Sequence, residues 1–403
     1  MLAAVTDKLF RRRHYWRDVS FDQIARLYIS RVLTIFALNV VNLFASIYLY
    51  KLGYSIVFIG LFYGGIYALK AIAAPLAAKF VARFGAKYAI LLASLMRIPS
   101  LVAFAFVEQF GLSAIIIFGV FQQLSGGIYD ISYLVNFSKV KHRDHAGKEI
   151  GLMNILERIA KVISPVLGGI VASVFSLQAT IIVALAAFFI ATIPLFMNAE
   201  PVKLGTKIRY RSLQWKKVLP SLIAYSVRGF GYTTGVHVWG LFMAVVLFAG
   251  AAQNIYAVVG AFSSLSAIAA IAAAWIFGKM IDRNKGLGLL IFGMWGNVVS
   301  FIARAFVGGT GGIVSTNVLT EVSTAAHQMS MMRVVFDLAD TSGHRVAYVA
   351  LLGVSDALAA SLAAFLLAAV VFVFGPEIGL RTMLLAAGFY SLLLLSARRL
   401  ASR

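Results

Sequence analysis

Residues 198–217, NAEPVKLGTKIRYRSLQWKK, lie at the midpoint of this 403-residue chain and include six Lys or Arg residues. On both sides of this stretch, apolar segments recur that are long enough to cross a membrane, because a helix of about 20 residues spans a hydrocarbon core of about 30 Å. Six such segments precede the stretch and six follow it. The stretch therefore predicts a basic loop that joins two halves of six membrane-spanning helices each.

The composition agrees with a membrane protein. Hydrophobic residues make up 61% of the chain and charged residues 13%, and a soluble protein of this length could not cover so many apolar side chains with polar surface. We predict an all-α integral membrane fold with about twelve transmembrane helices in two pseudo-symmetric six-helix bundles. The predicted spans are 24–50, 54–79, 87–107, 111–138, 149–174, 177–197, 218–249, 254–279, 287–307, 311–336, 345–374 and 379–398.

The basic residues fall in alternate gaps between the spans, and the opposite gaps hold Lys51 and Arg381. The positive-inside rule places the basic gaps in the cytoplasm. We therefore expect both termini there, in a protein of the plasma or inner cell membrane. The predicted parts are a cytoplasmic amphipathic N-terminal segment 1–23, an N-terminal six-helix bundle 24–197, a basic cytoplasmic linker 198–217, a C-terminal six-helix bundle 218–398 and a cytoplasmic tail 399–403.

The net charge of +21 would favour nucleic acid as the partner of a soluble domain. Here the basic residues flank the ends of apolar spans, so we interpret them as signals of topology and expect no nucleic-acid binding. The chain contains no Cys, which excludes thiolate metal sites. Residues 142–145, HRDH, lack a supporting cluster of ligands, and we expect no metal site and no cofactor.

Two of the basic gaps have similar sequences, as expected for an internal repeat. Residues 78–87 read AKFVARFGAK and residues 278–286 read GKMIDRNKG. With the twelve spans and the basic central loop, the Gly-x-x-x-Asp-Arg-x-Gly pattern of these gaps resembles the major facilitator superfamily of transporters. The first gap departs from that pattern, because Ala replaces its first Gly and its Asp. The residues that match are Arg83, Gly85, Gly278, Asp282 and Arg283.

The resemblance implies that these residues gate the cytoplasmic side of the protein. We expect Asp282 to pair with Arg333 and to stabilise the outward-open state. In the fifth span, residues 164–169 (SPVLGG) resemble the Gly-Pro-x-x-Gly-Gly pattern of the antiporters in this family, with Ser in place of the first Gly. The alternative is a generic helix kink packed against small residues. Arg333 and Pro165 complete the set of predicted gating residues.

Charged residues inside apolar spans cost about 2.5–3.5 kcal/mol each at the bilayer centre, so they face a partner or a water-filled cavity. The sequence has more bases than acids in such positions. The acids are Asp130, Glu157, Glu321 and Asp356, and the bases are Arg31, Lys70, Arg97, Arg158, Lys161, Arg228 and Arg304.

Two of these bases and two histidines have simpler alternative roles. Arg31 and Arg304 lie near span ends, where a long side chain can extend to the membrane surface. His237 and His327 lie on helices with polar faces and could be hydrogen-bonded packing residues instead of proton carriers.

The acids on spans 4 and 5 also leave alternatives open. Glu157 and Lys161 are four residues apart and could form a pair within their helix instead of a proton relay. Asp130 could neutralise Arg97 or Arg158 on a neighbouring helix.

Polar residues at helical spacing form stripes on several spans. The resemblance implies that spans 1, 4, 7 and 10 line a central cavity, and stripes fall on all four. The predicted substrate-binding residues are Asn39, Asn42, Asp130, Arg228, Tyr232, Glu321 and Gln328, and the predicted proton-coupling residues are Asp130, Glu157, Lys161, Glu321, His327 and Asp356.

The excess of bases within the spans predicts an anionic or zwitterionic substrate. No phosphate-binding loop of the type G-x-x-x-x-G-K-[S/T] occurs in the sequence, so an ion gradient is the expected energy source. We predict a secondary active transporter that works by alternating access, is coupled to protons and exports its substrate by antiport; we do not expect an enzyme.

The expected partners are a small-molecule substrate, protons and the lipid bilayer, and we expect a monomer. The alternatives are a proton-coupled importer, a transporter of lysolipids or other lipids, and a non-transporting membrane sensor or scaffold.

Overall fold

The computed structural model describes residues 21–140, 146–175, 177–196, 208, 210–248, 255–283 and 285–401. Twelve long helices account for most of this part of the chain, and it contains no β-strand. The helices are α1 Phe21–Lys51, α2 Ile56–Phe84, α3 Ala86–Ala105, α4 Leu112–Val140, α5 Ala146–Val174, α6 Leu177–Phe196, α7 Trp215–Leu247, α8 Ile255–Asp282, α9 Gly286–Phe306, α10 Thr310–Thr341, α11 Arg345–Phe374 and α12 Pro376–Ala401.

Nine helices of the described part are long and apolar enough to cross a membrane. The remaining three are α5, α6 and α10. Helices α5 and α10 carry charged and polar residues within the apolar sequence, and the apolar part of α6 is shorter, Gln178–Pro194. The predicted all-α membrane fold is confirmed.

The helix ends differ from the predicted spans by a few residues. Helix α2 continues to Phe84 and α10 to Thr341, five residues past the predicted ends, because a helix can continue beyond the apolar stretch that crosses the hydrocarbon core. Helix α3 ends at Ala105, two residues before the predicted end, and a separate helical turn, Val107–Phe110, follows it.

The helix pairings of the first six helices recur in the last six. Helix α1 contacts α5 and α6, α4 contacts α2 and α3, and α3 contacts α6; the same pairs, each shifted by six helices, occur between α7 and α12. Helices α2 and α11 pack together, as do α5 and α8, and these contacts join the two sets. The predicted division at 198–217 stays a prediction, because most of that loop and the segment 1–20 lie outside the described residues.

Small residues allow α2 and α11 to approach closely. A Cβ atom on Gly60 would lie 2.9 Å from the carbonyl oxygen of Ala364. One turn away, the Ser361 hydroxyl donates to the carbonyl of Gly64 at 2.8 Å. The two sets of helices, α1–α6 and α7–α12, which we call the two halves, therefore meet backbone to backbone at this crossing.

Helices α5 and α8 form the equivalent crossing. A Cβ atom on Gly260 would lie 3.0 Å from the carbonyl oxygen of Pro165, and the Ser264 hydroxyl donates to the carbonyl of Val162 at 2.8 Å. Pro165 thus lies where the halves touch. Gly168, from the same motif, faces Val40 of α1, whose carbonyl oxygen would be 3.1 Å from an added Cβ.

Two large hydrophobic clusters fill the interior, and both take residues from the two halves. Two charged residues of facing helices lie where the clusters meet. On α7, Tyr225 belongs to one cluster and Phe230 to the other, with Arg228 between them. On α11, Asp356 lies between Leu352 and Ala359 in the same way. The fold therefore places Arg228 and Asp356 at the same level of their two helices.

Candidate functional site

Four charged residues from four helices form a connected group that we call the charged tetrad: Lys70 of α2, Asp130 of α4, Arg228 of α7 and Asp356 of α11. Arg228 binds Asp356 with two hydrogen bonds, from Nε to Oδ1 at 2.8 Å and from Nη2 to Oδ2 at 3.2 Å. Lys70 Nζ donates to Asp130 Oδ2 at 3.1 Å. Arg228 Nη2 lies 3.8 Å from the same Asp130 oxygen, so Arg228 links both pairs across the two halves.

The residue after Arg228 explains how this geometry forms. A Cβ atom on Gly229 would lie 1.9 Å from the carbonyl oxygen of Asp356. Only Gly allows α7 and α11 to approach this closely, which brings Arg228 within reach of the Asp356 carboxylate. The Ser355 hydroxyl donates to the carbonyl of Leu222 at 2.7 Å and fixes the same crossing.

A small pocket of about 10 Å³ lies beside the tetrad, which is about the space for one water molecule. Its lining includes all four tetrad residues, together with Tyr225 and Gly127. The side chains of Arg228 and Asp130 are 33% and 32% exposed, although both lie in the middle of long helices. The ion pairs are therefore accessible from within the protein.

Tyr232 lies one turn beyond Arg228 on α7 and also faces the interface between the halves. Its ring lies edge-on to His237, with 5.9 Å between ring centres. The side chain is nevertheless 43% exposed, so this interface contains open space beside the tetrad.

A second group, which we call the helix-5 cluster, comprises Arg31, Glu157, Arg158, Lys161 and Glu321. Arg31 Nε donates to Glu157 Oε1 at 2.8 Å, which links α1 to α5. Arg158 Nη1 donates to Glu321 Oε2 at 2.7 Å, which links α5 to α10 across the halves. Lys161 interacts electrostatically with both carboxylates. Three bases therefore share two acids.

The side chains of Arg31 and Arg304 both bind partners on neighbouring helices inside the protein. Arg31 lies ten residues into α1 and packs over the ring of Tyr133, 4.2 Å from the ring centre. Arg304 is 4% exposed and donates from Nη2 to Asn317 Oδ1 at 2.6 Å. Both side chains turn inward because a neighbouring helix supplies a partner there.

The pairing of the acids also differs from the alternatives that the sequence suggested. The direct partner of Glu157 is Arg31 and not Lys161. Asp130 pairs with Lys70 and Arg228 instead of Arg97 or Arg158. Sequence reasoning left Arg31, Lys70 and Arg158 out of the predicted site, although their charge within apolar spans was the available signal.

Besides Tyr232, three predicted substrate-binding residues lie outside both charged groups. The Asn39 side chain donates to the carbonyl of Ile35 on its own helix at 2.7 Å. Asn42 Oδ1 accepts from Gln122 Nε2 at 2.9 Å, which links α1 to α4. Gln328 is half-buried on α10. Their predicted role in substrate binding stays a prediction.

The two histidines lie in different settings. His237 links the halves: Nδ1 is 2.5 Å from Ser46 Oγ and Nε2 is 2.9 Å from the Tyr67 hydroxyl. It lies in a π-helical segment of α7, Thr233–Val238, a feature often found at functional sites. His327 of α10 is buried against α9, and its Nδ1 lies 3.0 Å from Nδ2 of Asn297.

The predicted gating residues lie at the basic ends of the helices, apart from Pro165. Gly85 has φ +95 in the tight turn between α2 and α3, which favours Gly. Arg83 and Arg283 are exposed. Arg333 of α10 donates to the carbonyl of Ile281, in the last turn of α8. The two remaining gating residues, Gly278 and Asp282, also lie near the end of α8.

The described residues contain no group of three or more His, Asp or Glu side chains that could hold a metal ion. Residues 142–145, whose sequence resembles a possible metal-binding stretch, lie outside the described residues.

The family model of the Major Facilitator Superfamily matches residues 27–364 of this chain. Because the match covers most of the sequence, the chain belongs to this superfamily of transporters, as its resemblance in sequence predicted. No curated protein sequence matches the chain.

Solved transporter structures have the same fold. The crystal structure of the human organic anion transporter MFSD10 (TETRAN) has a TM-score of 0.68 and 13% identity, covering 94% of this chain and 99% of that one. A bacterial homologue of the iron transporter ferroportin in its outward-facing state has a TM-score of 0.68 and 15% identity, with the same coverage. At these identities the likeness concerns the fold alone.

Proposed function

We propose that this protein is a proton-coupled secondary transporter of a small anionic or zwitterionic molecule, which it moves by alternating access around the charged tetrad. The observation that carries the proposal is that Arg228 connects carboxylates of both halves at a partly exposed position in the middle of a helix that is long and apolar enough to cross a membrane. An interaction that joins the halves must change when they rock against each other.

The balance of charge supports an anionic substrate. Each of the four acids within the spans has a basic partner within 4.0 Å. Three bases, Arg97, Lys161 and Arg304, have no carboxylate at that distance in the described part of the chain. The interior is therefore positive before substrate binds and attracts negative charge.

The tetrad also supplies a coupling mechanism. An anion that binds Lys70 and Arg228 competes with Asp130 for these two bases. A carboxylate that loses its basic partners in apolar surroundings takes up a proton, because an isolated charge there is costly. A monovalent anion and a proton then cross together with no net charge, so the pH gradient supplies the energy.

Antiport, which the fifth-span motif predicts, is the second candidate. In this mechanism, proton and substrate bind alternately, so they move in opposite directions. The carbonyl oxygen of Pro165 approaches Gly260 at the α5–α8 crossing, and this contact gives no information on the direction of transport. Symport therefore follows more directly from the tetrad.

The test uses protein reconstituted in liposomes that contain a pH-sensitive dye. A panel of organic anions, zwitterions and cations is first screened for thermal stabilisation of the purified protein, and the best ligand is then added outside the liposomes. Symport predicts acidification of the interior, antiport predicts alkalinisation, and uptake without any pH change would contradict proton coupling. If only cations stabilise the protein in the screen, the proposal of an anionic or zwitterionic substrate is contradicted.

A further inference from the structure

Arg304 is a buried base whose donors are only partly used. Its side chain is 4% exposed, and one of its nitrogens, Nη2, donates to Asn317. Nε and Nη1 have no hydrogen-bond acceptor among the described residues. A buried guanidinium in this condition is costly unless a negative charge neutralises it.

An aromatic side chain adds another donor at the same place. The Arg304 guanidinium lies over the ring of Trp239 of α7, 4.6 Å from its centre. Trp239 is itself 4% exposed, and its Nε1 has no acceptor in the described part of the chain. Phe301 borders the guanidinium as well, 5.7 Å from its ring centre. N–H donors and aromatic rings therefore surround one unneutralised charge.

We propose that Arg304, Trp239 and Asn317 form a binding site for a small monovalent anion, separate from the charged tetrad. One negative charge neutralises Arg304, whereas a divalent anion would leave an excess charge buried. Because Arg304 and Trp239 are each 4% exposed, the proposed occupant is small: a halide, or a carboxylate such as formate.

A neighbouring carboxylate makes the site sensitive to the state of the transporter. Glu321 lies one helical turn from Asn317 on α10 and interacts electrostatically with Arg304. In this structure Glu321 is bound to Arg158 of the other half at 2.7 Å. While that ion pair is formed, Glu321 does not neutralise Arg304, and a bound anion does so instead. When the halves separate, Glu321 is released from Arg158 and competes with the bound anion for Arg304.

The test compares the unfolding temperature of the detergent-purified protein in sodium chloride and in sodium gluconate at equal ionic strength, since gluconate is too large for the site. We expect chloride to raise the unfolding temperature by about 2–4 °C. Bromide and formate are tested in the same way: stabilisation by the halides alone identifies a halide site, and stabilisation by formate as well identifies a site that also accepts carboxylates. An equal unfolding temperature in chloride, bromide, formate and gluconate would overturn the proposal.

Variants assign the effect to this site. Arg304→Gln removes the response to chloride, whereas the control Arg211→Gln, at an exposed position, retains it. Trp239→Phe keeps the aromatic ring and removes the N–H donor, which weakens chloride binding about tenfold. Glu321→Gln removes a nearby negative charge and strengthens binding about threefold. If Arg304→Gln does not fold, the opposite effects of the other two variants test the proposal; unchanged chloride binding in both would contradict it.

Discussion

The charged tetrad and the helix-5 cluster both join the two halves, but they differ in charge balance. The tetrad has two bases and two acids, and each acid has a direct basic partner. The helix-5 cluster has three bases for two acids. Under the proposed function, this difference is a division of work: the tetrad would release a carboxylate when an anion binds, and the helix-5 cluster would keep the interior positive.

The two groups also differ in what holds them in place. The tetrad depends on backbone contact between α7 and α11 at Gly229. In the helix-5 cluster, aromatic rings support Arg31, and one ion pair, Arg158 to Glu321, joins the halves. The tetrad should therefore respond most to changes in helix packing, and the helix-5 cluster to loss of a single charge.

The largest effect is expected from Gly229→Ala. The added methyl group would lie 1.9 Å from the carbonyl oxygen of Asp356, so α7 and α11 must separate and the Arg228 pair is broken. We expect a loss of about 3 kcal/mol in the free energy of unfolding, measured by thermal unfolding in detergent. The matched control is Gly231→Ala, where an added Cβ meets nothing within 4 Å; equal losses in both variants would contradict the packing argument.

A smaller loss is expected from Arg158→Gln in the helix-5 cluster. Glu321 then lacks its partner at 2.7 Å, and we expect a loss of about 2 kcal/mol, less than for a fully buried pair because the Glu321 side chain is 36% exposed. The double variant Arg158→Gln with Glu321→Gln should recover at least half of this loss in the same unfolding measurement. If the loss in the double variant equals the sum of the losses in the two single variants, the ion pair contributes nothing to stability.

Lys70→Gln provides the comparison within the tetrad. Asp130 keeps Arg228 as a second base at 3.8 Å, so we expect a loss of only about 1 kcal/mol. A loss larger than that of Arg158→Gln would reverse the proposed difference between the two groups.

The smallest effect on stability, with a clear effect on binding, is expected from Lys161→Gln. This base has no carboxylate within 4.0 Å in the described part of the chain, so its removal leaves no acid without a direct partner. The apparent affinity for the anionic substrate should fall about fivefold, and added salt should reduce the difference, because both effects are electrostatic. An unchanged affinity would show that the surplus charge of the helix-5 cluster does not attract the substrate.

The fold could be predicted from the sequence because hydrophobic length is read directly from the chain. The helix ends could not, since helices such as α10 continue past the apolar stretch. The charged residues of the site were also identifiable, and Arg228 in particular was predicted to face the substrate.

Their pairing could not be predicted, because the partners are far apart in sequence. Arg158 and Glu321 are separated by 163 residues, and Arg228 and Asp356 by 128. Nothing in one sequence distinguishes the base that meets a given acid when several lie within the apolar spans. Gly229 illustrates the same limit, since Gly231 and Gly235 look equivalent in the sequence but have open space beside them.

The central claim is that an anion competes with Asp130 for Lys70 and Arg228, and that the displaced Asp130 carboxylate then takes up a proton from solution. The most direct test measures accumulation of the substrate against its concentration gradient in liposomes with an imposed pH gradient, for Asp130→Asn and for Glu157→Gln as the control from the helix-5 cluster. We predict that Asp130→Asn equilibrates substrate without accumulating it, while Glu157→Gln still accumulates it. Accumulation by Asp130→Asn at the level of the unmodified protein would contradict the account.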